Sequence, residues 1–326
     1  MKVTVIGAGA WGTALANLLR HNRHSVTLWG HNAALLEQIT ATGRNDLYLP
    51  QIVLAPGIRC QADLQLAVED SECIVLAVPS KFFREVTSRI PAFNGLAVSV
   101  TKGIEAETGL TMSGILNMTM PHASAAVLSG PSLALEVARE IPAAVVAAHR
   151  DIDVAKKTQA LFHRPSFRVY TAKDAVGVEL GGAVKNVIAI AAGVGDGLGF
   201  GDNSKAGLVT RGVAEMRRLG IARGASPDTF SGLGGLGDLV VTCYSKLSRN
   251  RAFGERVGRG DKVSAILAST RSVAEGYPTA LAARQLARKL DIQTPIIDEV
   301  HAMLYQNKPV RKAVQDLMGR DVKQED

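Results

Sequence analysis

The 326-residue sequence has only three cysteines, Cys60, Cys73 and Cys243, and no two of them share a CxxC spacing. That argues against a zinc site or a disulfide framework and favours a reducing compartment, so no metal is expected. Aromatic residues make up 5% of the chain, so its core is expected to be built largely from Ala, Val, Leu and Ile. No apolar run reaches the roughly 20 residues a bilayer span needs; the best, Val187 to Gly195, is bounded by Lys185 and Asp196. "MKVTVIGAG" leaves no room for a secretory leader, and the expectation is a cytoplasmic protein without membrane insertion. Asp and Glu number 30 against 37 Lys and Arg, a net charge of +7. Such a balance suits nucleic acid, an anionic surface or a phosphorylated small molecule. A long Lys/Arg block is missing, however, and no basic stretch is interleaved with stacking aromatics. Nucleic acid is therefore not expected as a partner; most charges read as solvated faces, with a few left to bind a small anion.

What is present is an alternation. The β-branched runs "KVTVI", "SVTLW", "CIVLAV", "LAVSVT", "SAAVL" and "AAVVAAH" are interleaved with helical patterns such as "TALANLLRHN", "NAALLEQITAT" and "DVAKKTQALFH". Strands apolar on both faces, separated by helices, predict a doubly wound parallel sheet covered on both sides. After about Asp174 the strand signals stop, and "GLVTRGVAEMRRLGI", "YPTALAARQLARKL" and "PIIDEVHAMLYQ" show helical spacing. The expected division is an α/β, Rossmann-type dinucleotide-binding domain over residues 1–175 and an all-helical substrate domain over 176–326. The apolar helical half could support a homodimer.

Gly7, Gly9 and Gly12 form G-x-G-x-x-G between the first strand and the first helix. The glycines allow a tight turn, and the helix N-terminus offers N–H groups to a pyrophosphate. The second strand ends on Trp29, Gly30 and His31, where a carboxylate for the NAD ribose would usually stand. Its absence removes a repulsion against a 2′-phosphate, and His31 could donate to one. NADP is therefore the expected cofactor, with NAD also accepted. Lys102 follows "LAVSVT" at a strand end, where ligands of such sheets bind.

The helical half places Lys185 in "GGAVKNVIAIAAGVGDGLGFGDN", a run in which nearly every neighbour is small or apolar. A lysine kept from water has a lowered pKa and becomes a competent acid/base. The glycines after Gly193 are expected to end this helix, and Gly181, Gly182 and Ala183 to let it pack closely on the cofactor domain. Asp238 ends "GLGGLGD" and could orient Lys185 or accept from a substrate hydroxyl. Ser248, Arg249 and Asn250 form a cluster whose guanidinium fork suits a phosphate. Each has a plainer reading: a snorkelling lysine, a capping aspartate, a solvated arginine.

Taken together, "VIGAGAWGTALA", "VPSKFFREV", "TKGIE", "SGPS", "GVELGGAVKNVIAIAAGVGDGLGFGDN", "GLGGLGDLVVTC", "SRNRAFG" and "AEGY" closely resemble the bacterial NAD(P)-dependent glycerol-3-phosphate dehydrogenase family, almost end to end. The resemblance implies reduction of dihydroxyacetone phosphate to sn-glycerol 3-phosphate, feeding phospholipid synthesis. It implies that Lys185 is the proton donor and acceptor. Lys102, Gly130, Ser132, Lys185, Asp238, Ser248, Arg249 and Asn250 would form the substrate shell, with Arg249 and Asn250 on the phosphate. Ala10, Trp11, His31, Lys102, Ala134, Arg249, Val273 and Glu275 would contact NADP beside the three glycines. Leu133 stands where relatives commonly carry an aromatic residue, and the segment after "EGY" also departs from the usual pattern. Two alternatives stay open: another two-domain NADP-dependent reductase of a small hydroxy or keto acid, and a non-catalytic dinucleotide sensor.

Overall fold

The computed structural model describes residues 1–269, 274–322 and 324. Its first half is one sheet of eight strands: β1 (Lys2–Ile6), β2 (Ser25–Trp29), β3 (Arg59–Gln61), β4 (Cys73–Leu76), β5 (Leu96–Ser99), β6 (Ser124–Ser129), β7 (Ala143–Ala148) and β8 (Phe167–Ala172). They lie in the order β3-β2-β1-β4-β5-β6-β7-β8. From β3 through β6 all neighbours are parallel, with Val3 opposite both Val26 and Cys73. Strand order reverses between β1 and β4. The crevice outside their carboxyl ends is where such sheets bind ligands.

The expected all-parallel sheet needs one correction. β7 runs antiparallel to β6, with Val127 opposite Ala148, and β8 pairs parallel to β7. The β6–β7 connection holds only the five-residue helix Ala134–Ala138. A helix that short does not recross the sheet, and the chain returns beside β6 in the opposite sense. Helices cover both faces. The first helix, Ala10–His21, packs Leu15 and Leu19 into one core with Val5, Val75 and Phe167. Phe83, Met112 and Leu116 close the other face over Ile74 and Leu76.

The second half is helical and built around Ala175–Gly197, a helix of 23 residues buried along nearly its whole length. By length and composition alone it could cross a membrane, contrary to the run-length expectation, yet 83% of its most apolar window is buried inside the fold. Leu180, Val184, Val187 and Ile188 pack there with Leu239, Phe253, Ala283 and Val300. The helix ends among the glycines after Gly193, as expected: its last residue is Gly197, and Gly199 follows at φ +77°. Gly193 itself serves packing. A Cβ on Gly193 would lie 1.9 Å from Arg251 O, and one on Gly254 would lie 2.0 Å from Ile190 O. Only hydrogen at both positions lets the helix Arg249–Gly258 lie backbone-to-backbone on the central one. That close approach carries the cluster beginning at Ser248 to the level of Lys185.

Candidate active site

At the carboxyl edge of the sheet the two halves enclose a cleft of about 490 Å³. Of the residues singled out in the sequence, Gly7, Gly9, Ala10, Trp11, His31, Lys102, Ser132, Ala134, Lys185, Ser248, Arg249, Asn250 and Glu275 line it. Gly12, Gly130 and Asp238 are not on that lining, and Val273 lies outside the described residues.

The glycine turn is built by exclusion. Gly7 sits at φ +122°, and a Cβ there would come within 2.8 Å of Ala77 O. A Cβ on Gly12 would lie 1.9 Å from Gly7 O, so the first helix can start tight against β1 only as glycine. Gly9 differs: a Cβ there meets no protein atom within 4 Å and would occupy the cleft itself. The helix that follows has no side-chain cap and no acidic residue in its first turn. Its N-terminal N–H groups and the positive end of its dipole are thus left for an anion. A dinucleotide pyrophosphate fits this cradle. At the far end of β2 no carboxylate appears; His31 is exposed, and Asn32 caps the next helix by accepting from Leu35 N at 3.1 Å.

Opposite the turn, Lys185 projects from the central helix with 6% of its surface exposed. It donates to Asp238 Oδ1 and, at 2.8 Å, to Thr242 Oγ1. The Thr242 hydroxyl spends its own proton on Asp238 O at 2.6 Å, which leaves its lone pairs facing the lysine. Lys102 Nζ donates to Asp238 Oδ2 at 2.7 Å and to Gly130 O at 3.1 Å. One carboxylate, 1% exposed, therefore holds two ammonium groups. Burial brings the Lys185 pKa down to about 7; Asp238 opposes the shift and Lys102 adds to it. A lysine with that pKa exchanges its proton near neutrality.

Arg249 is the free cation of the cleft. No hydrogen bond or ion pair holds its guanidinium among the described residues. Desolvation in the cleft pushes its pKa below the usual arginine value, with Glu275 opposing. Exposed on the cleft wall and bound to no described protein acceptor, with Glu275 nearby, its guanidinium fork stays open to an anionic ligand. Asn250 bridges its neighbours: Nδ2 donates to Asn186 Oδ1 at 2.9 Å, and Oδ1 accepts from Gly276 N at 2.9 Å. Ser248 Oγ caps the helix Arg249–Gly258 by accepting from Arg251 N at 3.2 Å. Ser132 Oγ donates to Gly130 O at 2.9 Å. Gly130 thus enters the site through its carbonyl, shared by Lys102 and Ser132. Glu275 accepts from Ser80 N at 3.1 Å and from Ser80 Oγ, tying the helical half to the end of β4; burial raises its pKa.

Thr242, Asn186 and Ser80 were not among the predicted site residues. Thr242 had a legible signal, standing four residues after Asp238 on one helix face; Ser80 follows a strand end in "VPSK", and Asn186 adjoins the lysine.

The chain matches two family models: the NAD-dependent glycerol-3-phosphate dehydrogenase N-terminus over residues 2–155 and the C-terminus over 174–315. A glycerol-3-phosphate dehydrogenase (NAD(P)+) of Geobacter sulfurreducens is 48% identical, covering 99% of this chain and 98% of the relative. One from Anaeromyxobacter dehalogenans is 47% identical over the whole of both. Among solved structures, glycerol-3-phosphate dehydrogenase from Coxiella burnetii superposes with a TM-score of 0.94 at 37% identity, covering 98% of this chain and 99% of that one. A PanE/ApbA family ketopantoate reductase from Ralstonia eutropha JMP134 superposes with a TM-score of 0.62 at 17% identity, a likeness of fold alone.

Proposed function

The chain belongs to the NAD-dependent glycerol-3-phosphate dehydrogenase family, and from that premise we propose that Lys185 is its proton donor and acceptor, held for the task by Asp238. The protein is an oxidoreductase, a glycerol-3-phosphate dehydrogenase that uses NAD(P). The observation that carries the residue assignment is the buried Lys185–Asp238–Lys102 group in the cleft that the glycine turn also lines.

Bound NAD(P)H supplies the hydride that reduces the carbonyl carbon of dihydroxyacetone phosphate. The chain's own residues manage the proton and the phosphate. As the carbonyl oxygen becomes an alkoxide, Lys185 Nζ gives it a proton and is left as a neutral amine. That state is accessible because burial and Lys102 both disfavour the ammonium. In the reverse direction the amine takes the proton from the hydroxyl of sn-glycerol 3-phosphate. Asp238 fixes the Nζ direction, and Lys102 keeps a second positive charge beside the developing oxyanion. Arg249 meets the phosphate with its planar fork, and the remaining Asn250 N–H adds a neutral donor. Ser132 and Gly130 shape the wall next to Lys102. His31, in the absence of a carboxylate at the end of β2, accommodates a 2′-phosphate, so NADPH is accepted and preferred. Ala10, Trp11, Ala134, Glu275 and Val273 complete the cofactor surface. We place the division of labour at about residue 175, between β8 and the lysine helix. The product feeds glycerophospholipid synthesis in the cytoplasm.

The test is loss of nicotinamide absorbance with NADPH and dihydroxyacetone phosphate, for the wild type and Lys185→Met. The variant should keep its affinity for NADPH and lose ~10²–10⁴-fold in kcat, the usual share of general acid catalysis. Retained turnover would remove Lys185 from the role. Equal turnover of a carboxylate ketone such as ketopantoate would favour the other two-domain reductases.

A further inference from the structure

Between the helix Ala33–Thr42 and β3 the chain runs through residues 43–58 without a regular element long enough to hold itself in place. One polar side chain of this segment is buried. Asn45 is 0% exposed, and its Nδ2 donates to Ala8 O at 2.9 Å and to Thr13 Oγ1 at 2.7 Å. The orientation of the amide is not ambiguous, because a carbonyl oxygen such as Ala8 O can only accept. Ala8 is the middle residue of the Gly7–Gly9 turn, and Thr13 stands on the first turns of the helix that follows. Thr13 Oγ1 leans on the same Ala8 oxygen at 3.4 Å.

The peptide joining Ala8 to Gly9 is planar and trans, so its C=O and N–H point in opposite directions. With Ala8 O drawn inward onto the Asn45 amide, the Gly9 N–H is turned outward. Gly9 lines the cleft, and its N–H has no partner among the described residues. The same Asn45 sets the facing wall: its carbonyl accepts from Leu49 N at 2.8 Å, and its Oδ1 accepts from Tyr48 N at 3.3 Å. Tyr48, Leu49 and Pro50 all line the cleft. Asn17, on the buried face of the first helix, adds a second tie by accepting from Ala55 N at 2.7 Å.

We infer that Asn45 is a positioning residue for the dinucleotide: by holding the Ala8 carbonyl it aims the Gly9 N–H at the pyrophosphate. It touches no cofactor atom itself. Without its donors, Ala8 O is left buried with only the long Thr13 contact, and the Ala8–Gly9 peptide is free to rotate. A rotation would present a carbonyl oxygen to the phosphates in place of a donor.

This rests on the reading of the cleft as the NAD(P) site, and NADPH binding by the wild type, measured first, tests that reading separately. Isothermal titration of Asn45→Ala with NADPH, ADP-ribose and adenosine 2′-monophosphate then tests the inference. Losing a buried hydrogen bond to the turn should weaken NADPH and ADP-ribose about tenfold to a hundredfold. Adenosine 2′-monophosphate has no pyrophosphate and should hold its affinity within about threefold. In steady state the loss should fall on KM for NADPH rather than on kcat. Asn45→Asp keeps the acceptor for Tyr48 but sets a carboxylate against Ala8 O, and should not rescue. Equal weakening of all three probes would reduce Asn45 to a loop anchor and overturn the inference, as would unchanged NADPH affinity. Should Asn45→Ala fail to fold, Thr13→Val removes one acceptor while keeping shape. A loss confined to the pyrophosphate probes is then expected, and no loss overturns the proposal.

Discussion

Lys102 Nζ lies 2.7 Å from Asp238 Oδ2, on the carboxylate oxygen that Lys185 leaves free. Two cations and one anion therefore share a site from which water is largely excluded. The group carries a net positive charge, and a positive site suits an oxyanion and a phosphate in the same small substrate. It also explains how an ammonium is tolerated at Lys185 while remaining ready to lose its proton. Asp238 favours the charged form, and burial and Lys102 oppose it.

Removing the anion should unbalance that arrangement. Asp238 raises the Lys185 pKa, so Asp238→Asn should lower it further from about 7. Reduction needs the protonated lysine, and each unit of downward shift costs about tenfold in the protonated fraction above the pKa. The kcat for ketone reduction at pH 7.5 should fall by ~10²-fold, with part of it regained on acidification. The pH profile of kcat measures this directly. A fall in rate with an unmoved profile would mean that Asp238 acts on geometry alone.

Arg249 should discriminate by charge. Hydrogen bonds to charged groups contribute about 1.5–3 kcal/mol, so Arg249→Ala should raise KM for dihydroxyacetone phosphate by ~10–10²-fold. Turnover of unphosphorylated dihydroxyacetone should be far less affected. Arg249→Lys keeps the charge but not the planar fork, and should restore only part of the loss. If both ketones suffer equally, the phosphate is held elsewhere.

The cofactor end of the site was legible because its constraints are local. Gly7, Gly9 and Gly12 announce a strand–turn–helix by spacing, and the small residues around Lys185 announce burial. The shared use of Asp238 by two lysines was not legible, since Lys102 and Asp238 lie 136 positions apart and meet only through the fold. The same holds for Asn45, whose partners Ala8 and Thr13 sit in another segment. It reads in sequence as an ordinary loop asparagine. The reversed β7 was missed because "AAVVAA" has the composition of a buried strand whichever way it runs. β8 escaped for another reason: Phe167 and Val169 are buried while Arg168 and Tyr170 are exposed, an alternation unlike the doubly covered strands before it.

The end of β2 offers a test of cofactor choice. His31 is exposed at the cleft margin, where a carboxylate would stand close to a 2′-phosphate. Two charges about 4 Å apart near a surface interact by ~1–4 kcal/mol, so His31→Asp should lower kcat/KM for NADPH by ~10–10²-fold relative to NADH. The ratio of the two kcat/KM values, at low and high salt, is the measurement. A wild type already far better with NADH would refute the assignment of His31.

Glu215 links stability to pH away from the chemistry. It is 2% exposed, and its carboxylate caps the helix Pro295–Tyr305 by accepting from Ile296 N at 2.6 Å and Ile297 N at 3.1 Å. Burial raises its pKa from 4.5 to about 7, although the two backbone donors and Arg218 pull it down. A carboxyl that holds its proton more tightly when folded stabilises the fold fully below the unfolded pKa. That contribution is lost as pH rises through the folded value. The window therefore runs from about pH 4.5 to 7 and the slope is negative. The full difference is of the order of 3 kcal/mol. Glu215→Gln keeps an acceptor for the helix end but has no proton to lose. Its unfolding free energy should be flatter than that of the wild type across this window, and the variant should be the more stable of the two at pH 8. Denaturant titrations at several pH values give both curves. Parallel curves would show that Glu215 is ionised throughout and that its two backbone donors outweigh its burial.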